Sequence, residues 1–367
     1  MAENAKQYFF YRWPKASLAL VVIVSVLIID CALGWLLIPA RATSIRRPHY
    51  FYHHGFKSNR RAEGRWGDSA YSLVSNSLGL LDRDTRELSL KTSRHRILFM
   101  GDSFTEGVGL PYEQTFVGIL GAQLDPARVE VLNGGCMGYS PKLYYLKTRY
   151  LLEQGLDIDE LIVLVDLSDI PNEVELYRGY EPALSTAPGV FALRLHAFLK
   201  GRSYAYHAVN ALVFKKGEVA LWDLNLFKIK QERFTPLQQL QDAVNHPGGA
   251  WPERRSAEME EGLRLAVQHM QQLADLCRVR GIRMSLVIYP WPRQLYKRQP
   301  GNIHVRTWRA FARQNSVEFI DLFYDFLPPG TDPDMAYQRF FISGDVHWSA
   351  EGHRIVAERL LRVLEKN

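Results

Sequence analysis

Ser103, Asp345 and His347 are the residues of this chain whose types and spacing could do covalent chemistry. A serine hydroxyl is a weak nucleophile until a neighbouring base takes its proton, and the base needs a third group to orient it. Ser103 ends the turn Gly101-Asp102-Ser103, directly after the apolar run Ile97 to Met100. Asp345 and His347 stand two residues apart in Ser343-Gly344-Asp345-Val346-His347-Trp348, just ahead of a C-terminal helix that Ser349 could cap. Together they suit acyl transfer: Ser103 attacks, His347 moves the proton, Asp345 orients His347. Taken singly, each has a plainer reading, as a turn serine or a helix-capping histidine. His353 falls inside the helix and is the weaker candidate.

The elements that must position these residues follow an alternating order. Short apolar runs read as buried strands at Ile97 to Met100, Val129 to Leu132, Leu161 to Val165, Met284 to Tyr289 and Val317 to Ile320. Helical stretches read at Glu113 to Leu124, from Pro141 to about Gln154, from about Ser256 and from about Ser349 to Leu364. Leu263, Val267, Met270, Leu273 and Cys277 share one helical face. Strands alternating with helices predict a parallel sheet covered on both faces. In such a sheet ligands bind beyond the carboxyl ends of the strands, where both candidate loops would lie. Tyr289, Trp291 and Trp348 also fall near that edge; they could stack on sugar rings or simply pack the rim.

The 367 residues suffice for one large α/β domain with additions. Ala16 to Ile38 carries one charge, Asp30, and as a helix is about 35 Å long, enough to span a bilayer. It exceeds the usual length of a secretory signal, although Ala40-Arg41-Ala42 resembles a cleavage site. Asp30 is costly in a membrane without a polar partner. The basic residues Arg41, Arg46, Arg47, Lys57, Arg60 and Arg61 after the span outnumber Lys6, Arg12 and Lys15 before it. That favours a cytoplasmic C-terminal side, but long domains translocate largely regardless of charge. The expected divisions are a short tail at 1–15, an anchor at 16–39, an aromatic-rich lead-in at 40–95 and a catalytic domain at 96–367. A mostly helical insertion is expected at about 174–250. The net charge of +6 is scattered and no nucleic-acid motif is present. Cys31, Cys136 and Cys277 have no paired spacing, and the His53-His54 pair lacks ligands at metal spacing.

This arrangement resembles the SGNH (GDSL-type) hydrolase superfamily. The resemblance lies in Gly101-Asp102-Ser103 after the first strand, the Gly138 loop after the second, the turn after the third, and the Asp-His loop before the last helix. It runs from about Arg96 to the C-terminus, interrupted by the insertion. It implies a flavodoxin-like three-layer α/β/α fold with neither metal nor cofactor. It also implies Ser103 as nucleophile, His347 as base, and the Ser103 and Gly138 N–H groups as oxyanion donors. Two features depart from the family pattern. Its third-strand turn carries Gly-x-Asn-Asp; here Asp166-Leu167-Ser168-Asp169 puts Ser168 at the position of the Asn donor. Its last block is Asp-x-x-His; here it is Asp345-x-His347. The shorter spacing resembles the periplasmic alginate-acetylation branch, in spacing only, because there the pair precedes the serine.

With the apolar segment, the resemblance implies a membrane-tethered O-acetyltransferase or O-acetylesterase acting on a bacterial envelope or exported polysaccharide. Its partners would be the polysaccharide acceptor, an acyl donor, the membrane, and a membrane O-acyltransferase or polysaccharide assembly proteins. Such an enzyme would sit in the inner membrane with its domain in the periplasm. The competing expectation is a non-catalytic subunit of the same fold that binds polysaccharide or scaffolds an assembly complex. A dinucleotide site is a poor fit, because Gly107-Val108-Gly109 lacks the required glycine spacing.

Overall fold

The computed structural model describes residues 13–37, 45–66, 69–182, 195, 199, 203–206 and 257–366. The chain forms two compact units, Met1–Ser44 with Ala183–Leu226, and Ile45–Pro182 with Phe227–Asn367. Most of the expected insertion, 183–250, lies outside the described residues, as does the Ala40-Arg41-Ala42 stretch.

In the first unit, helix α1 spans Pro14–Leu37. Pro14–Gly34 is long and apolar enough to cross a membrane, a property shared by N-terminal signal sequences. Asp30 has the polar partner that a carboxylate in this setting needs: its Oδ1 accepts the backbone N–H of Ala205 at 2.7 Å.

The second unit begins with two antiparallel pairs. Strands β1 (Arg46–His49) and β2 (His53–Phe56) form one, and β3 (Arg60–Trp66) and β4 (Ser69–Ser75) the other. They pack on the main domain through Tyr52, Phe56, Tyr71 and Leu73. The domain proper then runs β5 (His95–Met100), α2 (Ser103–Glu106), α3 (Phe116–Gln123), β6 (Val129–Asn133), α4 (Pro141–Glu153), β7 (Glu160–Val165) and α5 (Asp169–Glu175). From residue 257 on come α6 (Ala257–Arg280), β8 (Arg283–Ile288), α7 (Pro292–Tyr296), α8 (Ile303–Asn315), β9 (Glu318–Asp321), α9 (Phe323–Phe326), α10 (Pro333–Phe340) and α11 (Ala350–Leu364).

The five strands β5 to β9 pair in parallel in the order β6-β5-β7-β8-β9. Alternating side chains feed two separate cores, as the pleat requires. Leu98, Met100, Leu161, Val163 and Leu286 face α4, α6 and α8. Ile97, Phe99, Ile162, Leu164 and Val287 face α3, α10 and α11. This is a three-layer α/β/α fold. Chain connections leave β5 in one direction and β7 in the other, so the crevice between these strands is the topological switch point.

Local chemistry explains the helix boundaries. The expected helix from Glu113 divides into a 3₁₀ turn, Tyr112–Gln114, and α3, because the Thr115 hydroxyl accepts the Gly118 N–H at 3.1 Å and caps a new helix there. Ser349 caps α11 as expected, accepting the Gly352 N–H at 3.2 Å. Helix α8, which had no counterpart in the expected order, buries Val305, Trp308, Phe311 and Ala312 along one face.

Candidate active site

Ser103 is the first residue of α2, immediately beyond the carboxyl end of β5. The preceding Asp102 caps that turn, its Oδ1 accepting the Phe104 N–H at 3.0 Å. Gly101 allows the sharp exit from the strand: a Cβ there would sit 2.0 Å from the Thr105 hydroxyl. Ser103 is 7% exposed and His347 8%, so the pair meets largely out of water.

Ser103 Oγ lies 2.8 Å from His347 Nε2, and His347 Nδ1 lies 2.7 Å from Asp345 Oδ1. Burial pushes the Asp345 carboxyl up, but His347, the main-chain N–H of His347 and the Trp66 indole outweigh it and hold the carboxyl below its usual range. An ionised Asp345 can only accept, so His347 Nδ1 carries the proton and Nε2 is free to take the one on Ser103. The two-residue spacing works because the Asp345 side chain folds back on its own loop. Its Oδ1 also accepts the N–H groups of Val346 at 2.6 Å and His347 at 3.1 Å. The Tyr337 hydroxyl accepts the N–H groups of Gly344 at 2.8 Å and Asp345 at 3.1 Å, which fixes the loop to α10. Phe104 packs 5.0 Å from the His347 ring, and Trp66 meets it edge-on, also at 5.0 Å.

The expected oxyanion donors fare differently. Among the described residues, neither the Ser103 nor the Gly138 N–H donates to a protein acceptor. Gly138 has φ +79°, a conformation that favours glycine and turns the loop. The loop is braced from below. Glu106 Oε2 accepts the Met137 N–H at 2.7 Å and pairs with Arg46. Lys147 donates to the Gly134 carbonyl at 2.9 Å, and burial pulls its ammonium down to about 8. His54 Nε2 lies 2.9 Å from the Met137 carbonyl, and His53 Nδ1 lies 2.8 Å from His54 Nδ1. Ser168, by contrast, does not offer the expected third donor. Its hydroxyl donates to Asp166 Oδ1 at 2.7 Å, because α5 starts here and the short turn folds serine onto the aspartate.

Tyr289, Trp291 and Trp348 correct a second expectation. They are 3%, 4% and 0% exposed, too buried to stack on a sugar. Trp348 is enclosed by Phe104, Tyr289, Phe326 and His353. Trp291 donates its indole N–H to Asp166 Oδ2 at 3.1 Å. Neither their types nor their place at the strand ends distinguishes rim from core; the packing of Phe104 against all three, and of Phe326 and His353 against Trp348, does. His353 is likewise structural. Its Nδ1 accepts the Phe116 N–H at 3.2 Å, and burial pulls its ring down to about 3.

Beneath Ser103 sits a group that the sequence reading gave no role. Asp102, Asp166 and Asp169 bring carboxylate oxygens within 4.8 Å of one another, all buried. Burial and the neighbouring Asp166 hold the Asp102 carboxyl well above its usual range, and the hydrogen bond between the two favours the proton on Asp102. Asp166 also accepts from Ser168 and Trp291, and Asp169 accepts from Tyr144 at 3.0 Å. Trp66 and Glu106 were also missed as site residues. Their partners Asp345 and Met137 lie 279 and 31 residues away, and no local pattern signals such pairs.

No protein-family model and no curated protein matches the chain. Solved structures that it resembles include a lipolytic G-D-S-L family protein from Veillonella parvula, at 15% identity and TM-score 0.40, covering 74% of this chain and 100% of that one. A psychrotrophic esterase from Pseudoalteromonas aligns at 10% identity and TM-score 0.41, over 74% of this chain and 97% of its own. A catalytic mutant of an acetylxylan esterase from Geobacillus stearothermophilus aligns at 15% identity and TM-score 0.39, over 75% and 95%.

Proposed function

We propose that this protein is a membrane-tethered serine-dependent acyl-transfer enzyme, an O-acetyltransferase or O-acetylesterase acting on an envelope or exported polysaccharide. One observation carries the reading: the hydrogen-bonded series Ser103–His347–Asp345, with contacts of 2.8 and 2.7 Å, at the switch point of a parallel sheet. In this reading Ser103 Oγ attacks the carbonyl carbon of an acyl ester while its proton passes to His347 Nε2. The N–H groups of Ser103 and Gly138 stabilise the oxyanion. His347 then protonates the departing alkoxide, leaving acyl-Ser103. Water or a sugar hydroxyl attacks the acyl carbon, gives its proton to His347, and restores Ser103. Exclusion of water decides between transfer and hydrolysis.

Helix α1 supports the tether, and a domain working on exported glycan would lie on the periplasmic side of an inner membrane. The test is release of p-nitrophenol from p-nitrophenyl acetate by the full chain, Ser103→Ala and His347→Ala, with and without an oligosaccharide acceptor. Release that needs both residues supports the enzyme; acetylated oligosaccharide selects transferase and free acetate selects esterase. A second reading, a non-catalytic polysaccharide-binding or scaffolding subunit, draws on the Ser168 hydroxyl, whose proton is committed to Asp166. Failure of Ser103 to react with a phosphonate probe, together with no Ser103-dependent release, would favour it.

A further inference from the structure

Asp345 has a partner from the far end of the chain. Strand β3 is exposed at Arg60, Arg61, Glu63 and Arg65, and it ends in the half-buried Trp66. The Trp66 indole N–H donates to Asp345 Oδ2. The two oxygens of Asp345 are held unequally. Oδ1 receives the His347 ring at 2.7 Å and the N–H groups of Val346 at 2.6 Å and His347 at 3.1 Å. Among the described residues, the indole is the only donor to Oδ2. A carboxylate torsion is broad and roughly two-fold, so a group gripped at one oxygen still rocks about that grip. Pinning the second oxygen fixes the plane in which Oδ1 meets His347. The ring of Trp66 also closes one side of His347, its plane at 84° to the imidazole.

We propose that Trp66 is a positioning residue of the acyl-transfer site, its indole N–H fixing the Asp345 carboxylate so that His347 keeps its proton on Nδ1 and presents Nε2 to Ser103. The lead-in between the apolar helix and the sheet is thereby part of the site. The inference rests on the acyl-transfer reading, and Asp345→Asn separates positioning from packing. Three donors converge on Oδ1, so the amide oxygen takes that place and the NH₂ group is left facing the indole N–H, donor against donor.

The full chain in detergent is assayed on p-nitrophenyl acetate as wild type, Trp66→Phe, Asp345→Asn and the double variant. Trp66→Phe keeps an aromatic ring and loses the N–H. It should lower kcat about tenfold, the scale of one hydrogen bond to a charged group, with KM within about twofold. The acid limb of kcat/KM should move to higher pH, because Asp345 loses a donor that favours its ionised form. In the Asp345→Asn background the same change should cost nothing or restore activity. A kcat within about twofold of wild type for Trp66→Phe, or an equal loss in both backgrounds, would overturn the proposal and leave Trp66 as packing. A wild type without Ser103-dependent turnover would refute the acyl-transfer reading separately. Positioning is then read by NMR: a downfield, exchange-protected His347 Nδ1 proton in the wild type that Trp66→Phe abolishes supports it, and one that Trp66→Phe leaves unchanged overturns it.

Discussion

Arg46 and Glu106 form a buried ion pair beneath the Gly138 loop, and cutting one side of it should harm the protein more than removing both. Their side chains are 8% and 0% exposed, and Arg46 Nη1 donates to Glu106 Oε2 at 2.8 Å. Removing one partner of a buried pair leaves an uncompensated charge, at about 3–5 kcal/mol. Arg46→Met should therefore destabilise by that amount. Glu106→Leu does the same and also strips the acceptor from the Met137 N–H, which adds about 1–3 kcal/mol. Additive behaviour would make the double variant about 7–13 kcal/mol less stable. The structure predicts instead that the double variant, which keeps no half of the buried ion pair and leaves the Met137 N–H unpaired at about 1–3 kcal/mol, is far less destabilised than that sum. Chemical denaturation of the full chain in detergent, followed by tryptophan fluorescence, measures all three. The double variant should still lose kcat, since Met137 precedes Gly138, the proposed oxyanion donor. A double variant as unstable as the sum of the singles would refute the coupling and the bracing role with it.

Further outcomes follow from the same geometry. Asp345→Asn should lower kcat roughly 10²–10³-fold rather than the roughly 10⁴-fold expected of a tautomer swap, because three donors keep the amide oxygen on His347; an inverted His347 tautomer seen by NMR would count against this. Gly138→Ala places a side chain at φ +79° and should cost about 1–2 kcal/mol while lowering kcat more than phosphonate binding, measured by unfolding and by inactivation kinetics. Asp102, held protonated by burial and Asp166, loses its proton more readily in the unfolded chain. Its contribution to stability is therefore full below about pH 4 and declines as the pH rises, since the folded state then binds more protons than the unfolded one. Asp102→Asn keeps the side chain neutral, so the variant's Tm relative to wild type should climb as the pH rises above about 4; a flat or falling difference would show that Asp102 does not carry the proton.

The parallel sheet was readable because each strand is a bounded apolar run, and the structure extends or shifts those runs by only a residue or two, as in His95–Met100 and Glu318–Asp321. The hairpins of the lead-in were less legible. Arg60–Trp66 is polar and mostly exposed, so it shows little of the alternation that marks a half-buried strand. Helix α8 carries a helical period in Val305, Trp308 and Ala312, but the polar residues between them, Arg306, Thr307 and Arg309 among them, make its apolar face narrow. Ser103, His347 and Asp345, the proposed nucleophile, base and orienting carboxylate, were all visible, because each sits on a turn beside a clear strand or helix.

The sequence by itself determined the chain order of the five sheet strands, the apolar N-terminal helix and the candidate residues Ser103, Asp345 and His347, because these depend on local runs, caps and turn chemistry. Only the tertiary structure decided what surrounds them. Strand-end aromatics became core because Phe104, Phe326 and His353 pack against them, and the Ser168 hydroxyl donates its hydrogen bond to Asp166 two residues away. Trp66 reached Asp345 across 279 positions. Burial and hydrogen-bond partners are properties of packed neighbours, and a one-dimensional pattern records a residue's type without recording which distant group will meet it.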